Sequence, residues 1–437
     1  MSATSAPLRV DEEHPQHFLQ NALAFCFDVG LFSIAVTFIS ATTVVPAFIS
    51  TLTRSEVVVG LASGIVNAAW LLPQLFIASI AARWQRKKPA ILRAVWCTRP
   101  IILLLAWMTW RYAQASPTAT LIVALTSIFI FFVGDAAASV PWFDVVARAL
   151  PHKHRGAVIG TGQILGNLGG VGVGLFVRYA LGEQSPWAYP ANFAILFAIG
   201  GVIFLLGGVA LFFVHEPPTV IAQQAAPSVR QVFASLPRIL TEDRPFRRLI
   251  IVKVVVGYVG SAGAFYVLYA TRNLGFDIRD AGLFISAQVI GSMTAGLLLG
   301  LVQGRWGPLV HIRLLIALSA LPPALALLAG RVHATTPQAL AYVFTAVYFF
   351  LGIYMGGLSW PFFNWIMEYA DDARRPVYIG LMNTLTAVVM VAPALAGWVA
   401  RSFSYPALFA GALGIALLSL LLSLSLTSTR RAREAAP

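Results

Sequence analysis

Charged residues are scarce in this chain of 437 residues. They make up 11% of it, whereas hydrophobic residues make up 58%. The mean hydropathy is correspondingly high, at +0.79. Soluble proteins do not combine so few charged residues with so many apolar ones, so the composition predicts an integral membrane protein.

Cysteine is nearly absent, and the residue patterns of common enzyme sites are missing. Cys26 and Cys97 are the only cysteines, and both fall in apolar segments, which excludes a disulfide framework or a cysteine metal site. The sequence has no HExxH pattern and no glycine-rich phosphate loop, and its histidines lie at helix ends or in loops. Most connections between apolar segments are too short for a soluble catalytic domain. We therefore expect neither an enzyme nor a metal or cofactor, and a polytopic membrane enzyme stays a rival interpretation.

The N-terminal segment lacks the features of a cleaved signal. Asp11, Glu12 and Glu13 precede the first apolar run where a signal peptide would carry basic residues, so this run is expected to remain as a membrane crossing. The net charge of +13 is spread over loops on one side of the membrane, for example at Arg148 and Arg238. By the positive-inside rule both termini are cytoplasmic, and nucleic acid is not an expected partner.

Apolar segments long enough to cross a bilayer, about 20 residues each, can be read twelve times along the chain. Six lie in each half, so the fold class is an all-α membrane protein with twelve transmembrane helices. The predicted divisions are a cytoplasmic tail at 1–17, a six-helix bundle at 18–215, a cytoplasmic linker at 216–245, a second six-helix bundle at 246–428 and a tail at 429–437. We expect a monomer in the cell membrane, in contact with its lipids.

The two halves repeat one sequence plan. Residues 139–160 align without a gap on residues 359–380 at a constant offset of 220, and Asp144 falls on Asn364. The identical pairs are Ser139/Ser359, Pro141/Pro361, Phe143/Phe363, Arg155/Arg375, Ile159/Ile379 and Gly160/Gly380. An even number of crossings per half gives both halves the same orientation, and such parallel repeats are typical of transporters with a substrate site between the halves.

Four ionisable residues lie deep in apolar segments, where each costs about 2.5 to 3.5 kcal/mol on insertion scales. They are Asp28, Arg99, Asp135 and Lys253. Counting residues from the segment ends places the first three at similar depth in the first half, so we expect one charge cluster. One interpretation is that Asp28 or Asp135 takes up and releases a proton or cation beside Arg99. The other is a static salt bridge that neutralises buried charge.

Polar and aromatic residues recur on particular helices and predict the lining of a cavity for a small organic solute. They are Asn67, Trp70, Gln74, Gln163, Asn167, Tyr258, Tyr266, Gln288, Trp360, Asn364 and Asn383. Each of them alone could equally be a helix-packing residue.

A further pattern lies in the loop after the second crossing and in its counterpart in the second half. The residues that match the glycine and basic positions of a known signature are Arg83, Arg86, Lys87, Gly300, Arg305 and Gly307. On these residues the chain resembles the major facilitator superfamily, whose loop signature holds the cytoplasmic gate. The acid of the signature is replaced by Ala82 and Gly304. Asp144 is therefore expected as a substitute partner for Arg83 or Arg86, although it could be an ordinary solvated carboxylate at a helix end.

The resemblance implies two six-helix bundles that rock to expose a central site alternately to each side. We expect a secondary transporter of a small organic solute, coupled to protons, with Asp28 and Asp135 as coupling candidates. A cation symporter similar to melibiose permease has the same architecture and is an alternative. A lipid flippase or scramblase is an alternative from another class.

Overall fold

A computed structural model describes residues 17–81, 84–217, 237–370 and 375–429 of the chain. In these ranges the protein consists of helices and short connections, without a strand. Helices satisfy every backbone hydrogen bond internally, which a segment in lipid must do. Most of the predicted linker and of both predicted tails lies outside the described residues.

The first half contains eight helices, several of which pair end to end. Arg99 and Pro100 join two of them, α4 and α5, into one apolar segment of 25 residues. The helices are α1 (Phe18–Phe38), α2 (Val44–Leu52), α3 (Glu56–Ala81), α4 (Lys88–Thr98), α5 (Ile101–Tyr112), α6 (Pro117–Ala149), α7 (His152–Ala180) and α8 (Ala191–Ala210).

The second half begins where Asp243 caps a helix by accepting a hydrogen bond of 2.9 Å from the backbone N–H of Phe246. Its main helices are α9 (Arg244–Val259), α10 (Gly263–Asn273), α11 (Ala281–Thr294), α12 (Gly300–Ser319), α13 (Leu321–Thr335), α14 (Pro337–Gly357), α15 (Trp360–Tyr369), α16 (Arg375–Thr386), α17 (Ala392–Ser402) and α18 (Tyr405–Ser423). A π-helical turn at Ala295–Leu299 joins α11 to α12.

The helices confirm the predicted membrane architecture. Ten segments are long and apolar enough to cross a membrane, and one of them, Ile278–Thr335, has 58 residues and can cross twice. Helix α3, with 26 residues, supplies a further crossing. Together they make the twelve crossings expected from the sequence.

The repeated segments fold differently in the two halves. In the first half α6 runs without a break through Pro141 for 33 residues. In the second half α14 ends at Gly357, and α15 begins after Ser359 with Pro361 in its first turn. A proline in the first turn suits a new helix, and the preceding glycines favour the end of the old one. The same sequence plan therefore gives one long helix and one broken helix.

The first and last described residues of each half lie at one end of the bundle, which we call the termini end. There His17 stacks on His215 with ring centroids 3.8 Å apart. Arg248, early in the second half, donates to the carbonyl of Ser425, near its close, at 3.2 Å. The loops that follow α2, α5, α7 and α10 lie at the other end, which we call the far end.

The two halves are joined towards the far end. Helix α7 packs on α11, and α3 packs on α17. The Thr42 hydroxyl donates to Gln288 Oε1 at 2.7 Å, and the Ser286 hydroxyl donates to the Val171 carbonyl at 3.0 Å. The hydrogen bonds that join the halves through Thr42, Glu56 and Ser286 lie in this part of the bundle. The halves are thus closed against each other at the far end.

Candidate functional site

The structure brings Asp28 and Arg99 together inside the first half. Arg99 lies at the junction of α4 and α5, and its Nη2 is 3.5 Å from Asp28 Oδ1 on α1. Asp28 Oδ2 accepts a second hydrogen bond, at 3.0 Å, from the indole N–H of Trp142 on α6. Both members of the pair are buried, with side chains 6% and 8% exposed. Asp28 is therefore neutralised by a charged donor and held by a neutral one.

Arg99 is also fixed by groups other than Asp28. Its Nη1 donates to the backbone carbonyl of Phe204 on α8 at 2.7 Å, and its guanidinium carbon lies 5.6 Å from the ring centroid of Phe32. The cation thus ties α1, the α4–α5 junction and α8 together. Such a set of contacts is what a buried arginine needs if it is to remain charged in a low-dielectric region.

Asp135 on α6 has a different environment. Its Oδ2 accepts a hydrogen bond of 3.1 Å from the indole N–H of Trp70 on α3. Among the described residues, no lysine, arginine or histidine nitrogen lies within 4.0 Å of this carboxylate. The cluster therefore contains one carboxylate with an ionic partner and one without.

Lys253 on α9 lies apart from this cluster, in the second half. Its Nζ is 5.5 Å from the ring centroid of Phe362 and 5.3 Å from that of Phe363, both on α15. In the part of the chain that the structure describes, this ammonium group has no carboxylate within salt-bridge distance.

Two of the predicted gate residues of the first half, Lys87 and Asp144, belong to an ion network at the termini end. Lys87 Nζ lies 2.5 Å and Arg148 Nη2 lies 2.9 Å from Asp144 Oδ2. Arg148 Nη2 is also 3.0 Å from Glu216 Oε1, and the Glu216 carboxylate accepts the backbone N–H groups of Lys87 and Lys88 at 2.8 and 3.0 Å. The network thus joins α6, the start of α4 and the segment after α8.

The partners of Asp144 differ from those expected. Lys87 and Arg148 neutralise it, whereas Arg86 is exposed and Arg83 lies outside the described residues. Arg148 reaches Asp144 from one helical turn away, the i,i+4 spacing that brings two side chains onto one face. The network members described here all belong to the first half.

Among the described residues, the corresponding positions of the second half take part in no ion pair. Gly307 interrupts α12 with φ of +80°, a backbone conformation that side chains other than glycine rarely adopt. Arg305 places its guanidinium carbon 5.2 Å from the ring centroid of Trp306. A Cβ added to Gly300 would meet nothing within 4 Å.

The predicted cavity residues are distributed over several environments. Trp70 donates a hydrogen bond to Asp135, and Gln288 accepts one from Thr42 across the boundary between the halves. Tyr266 is 1% exposed and stacks on Phe409, so it is a core residue of the second half. The half-buried members are Gln74, Asn167, Tyr258, Asn364 and Asn383, the exposed ones are Gln163 and Trp360, and the side chain of Asn67 lies outside the described set.

One polar cluster between the halves is not among the residues predicted from the sequence. At the far end Glu56 Oε1 accepts hydrogen bonds from Arg272 and, at 2.7 Å, from the Tyr405 hydroxyl. Glu56 begins α3 in the first half, whereas its two partners belong to the second. In the sequence, Glu56 is an acid at the start of one helix and Arg272 is a base at the end of another, and no regular spacing relates the two.

Comparison with known proteins agrees with the two-bundle fold. A family model described as the Major Facilitator Superfamily matches residues 29–391 and 262–437. None of the curated proteins matches the sequence.

Solved structures of several transporters have a similar fold. One is a D-xylose–proton symporter, with a TM-score of 0.68 at 16% identity over 95% of this chain and 99% of that one. Another is a bacterial homologue of the iron transporter ferroportin in an inward-facing state, with a TM-score of 0.69 at 14% identity over 94% and 99%. A third is a POT family transporter in complex with 5-aminolevulinic acid, with a TM-score of 0.69 at 14% identity over 93% and 96%.

Proposed function

The chain belongs to the Major Facilitator Superfamily, and from this premise we propose that it is a proton-coupled secondary transporter of a small organic solute that works by alternating access. The fold, with two six-helix bundles closed against each other at the far end, supports this proposal. Rocking of the bundles about a site between them would open the far end and close the termini end.

The observation that carries the coupling proposal is the contrast between Asp28 and Asp135. Asp28 has Arg99 as a counter-ion at 3.5 Å, whereas the one donor to Asp135 among the described residues is the neutral indole of Trp70. An ionised carboxylate without a counter-ion is costly inside a membrane protein, and protonation removes that cost. Asp135 is therefore the residue that we assign to proton uptake and release, and Asp28 is part of a static ion pair.

The distribution of basic residues supports an orientation with the termini end in the cytoplasm. Lys87, Arg148 and Arg248 lie near this end, and cytoplasmic loops are enriched in such residues. On this orientation the closed far end faces away from the cytoplasm, so the conformation is inward-facing. The ion network of Asp144 then stiffens the cytoplasmic rim of the first half.

The proposal is tested with purified protein in proteoliposomes and a solute panel of sugars, organic acids, amino acids and hydrophobic cations. We expect the wild type to accumulate one solute class when a pH gradient is imposed. Asp135→Asn should lose this accumulation but keep the exchange of labelled for unlabelled solute, because exchange requires no net proton movement.

Three results would contradict the proposal. Gradient-driven accumulation by Asp135→Asn at the wild-type rate would exclude Asp135 as the coupling residue. A folded wild-type protein that moves none of the panel would argue against solute transport altogether. Accumulation driven by a sodium gradient alone would replace proton coupling by cation symport.

A further inference from the structure

Lys253 is a positive charge inside the helices of the second half. It lies nine residues after Arg244, the first residue of α9, which places it about 13 Å along the helix at 1.5 Å per residue. Its ammonium nitrogen lies 5.5 and 5.3 Å from the ring centroids of Phe362 and Phe363. A charge at this depth calls for a counter-ion.

The second half offers no carboxylate at this depth. Its sequence contains no aspartate or glutamate in residues 244–276, 281–367 or 373–429. The nearest acid along α9 is Asp243, and the hydroxyl groups of Tyr369 and Tyr378 donate to it at 2.8 and 2.6 Å. Asp243 therefore caps the helix at the termini end and is not a partner of Lys253.

The internal repeat allows Lys253 to be compared with a buried charge of the first half that has its counter-ion. In the first half Asp28 contacts Trp142, and Trp142 corresponds to Phe362 at the repeat offset of 220. Asp28 and Lys253 thus lie against equivalent positions of the two bundles. The first-half charge is neutralised by Arg99, whereas the second-half charge has no protein counter-ion among the described residues.

The two phenylalanine rings offset some of the cost of this charge but do not neutralise it. A cation–π contact contributes about 0.5 to 2 kcal/mol. Placing a lysine at the centre of a membrane helix costs about 2.5 to 3.5 kcal/mol on insertion scales. A single monovalent anion beside the ammonium group would complete the site and leave no net charge there.

We propose that Lys253 binds the charged group of the solute, and that the solute is a small organic monocarboxylate whose apolar part packs against Phe363. This inference rests on the proposed transport function, because it identifies the solute class of the same protein. Phe363 is the ring available for such a contact, since it is half-buried whereas Phe362 is fully buried.

The test uses probes that differ in charge but little in shape, and it measures binding without requiring transport. Benzoate, hexanoate and lactate are each compared with the corresponding neutral amide, and benzylamine serves as a cationic probe. The unfolding midpoint of the full-length protein in detergent is measured for the wild type, Lys253→Met and Lys253→Arg over a range of probe concentrations.

We expect at least one of the three acids to raise the midpoint of the wild type, while its amide and benzylamine have little effect. Lys253→Arg should retain this stabilisation, and Lys253→Met should bind the acid at least about tenfold more weakly, because one partner of a buried charge pair is lost. Equal stabilisation of Lys253→Met and wild type would overturn the proposal. So would a wild-type protein that responds to none of the acids.

The failure of this inference can be distinguished from failure of the proposed function. An acid that binds through Lys253 but is not moved across proteoliposomes would contradict solute transport and leave the anion site standing. A neutral or cationic solute that is transported equally well by Lys253→Met would contradict the anion site and leave transport standing.

Discussion

Asp28 and Asp135 are both carboxylates of the first half, but their hydrogen bonds and ion pairs differ, and so do the roles that we assign to them. Asp28 is held by Arg99 and by the indole of Trp142. Asp135 is held by the indole of Trp70 alone among the described residues. Removing the negative charge from Asp28 would leave a buried guanidinium without its counter-ion, whereas removing it from Asp135 would leave no unpaired charge behind.

The first prediction at this scale is that Asp28→Asn destabilises the protein by about 3 kcal/mol, because breaking a buried ion pair leaves Arg99 uncompensated. Asp135→Asn is the matched control and should change stability much less, since an asparagine oxygen can still accept from Trp70. Detergent or denaturant unfolding of the three proteins measures the difference. If Asp28→Asn were as stable as Asp135→Asn, the Asp28–Arg99 pair would not have the structural role assigned to it.

Counting residues from the helix ends predicts how deep these charged residues lie in the helices, but it does not predict which residues they contact. Asp28, Arg99 and Asp135 fall at similar distances from their helix ends, which was sufficient to predict a cluster. Which carboxylate meets Arg99 depends on how each helix is rotated about its axis, and neighbouring residues differ by about 100° in direction. For the same reason the sequence offered no means of finding the donor Trp142 and the acceptor carbonyl of Phe204, or of linking Glu56 to Arg272.

At the scale of helices, the contact between α3 and α17 holds the far end closed. A Cβ added to Gly64 would lie 2.7 Å from the Met390 carbonyl oxygen, and one added to Gly60 would overlap the carbonyl of Pro393. Glycine permits this approach because it has no side chain. The two halves approach so closely along this surface that one added methyl group would push them apart.

We therefore predict that Gly60→Ala shifts the protein towards a conformation that is open at the far end. Spin labels at Arg54→Cys and Arg401→Cys, two exposed positions near this end, should move apart relative to the same labels in the parent protein. Gly411→Ala is the matched control, because a Cβ there meets nothing within 4 Å. An unchanged label distance in folded Gly60→Ala would contradict the role given to this contact.

The number of membrane crossings was predictable because each crossing depends on a local apolar run. The twelve crossings and the two-half repeat are confirmed. The break between α14 and α15 was not predicted, since the aligned segment of the first half continues through its proline as part of α6. The first half has Ala137 and Ala138 two and one residues before Ser139, where the second half has Gly357 and Leu358.

At the scale of the whole molecule, two bundles of one design carry different chemistry. Within the described part of the chain, the first contains a neutralised ion pair and a carboxylate without an ionic partner, and the second contains a lysine without an acid within salt-bridge distance. The bundles meet through Glu56, Arg272 and Tyr405 at the far end. A proton site in one half and an anion site in the other would both change their surroundings when the bundles rock, which is how movement of the proton and the solute would be linked.

The most direct test of this account is the proton movement that accompanies solute movement. Wild-type proteoliposomes are loaded with a pH-sensitive dye, clamped at zero membrane potential, and given the transported solute from outside without an imposed pH gradient. We expect the internal pH to change as the solute enters, and we expect Asp135→Asn to exchange the solute without this change. Solute entry through the wild-type protein at constant internal pH, beyond passive leak in protein-free liposomes, would contradict proton coupling.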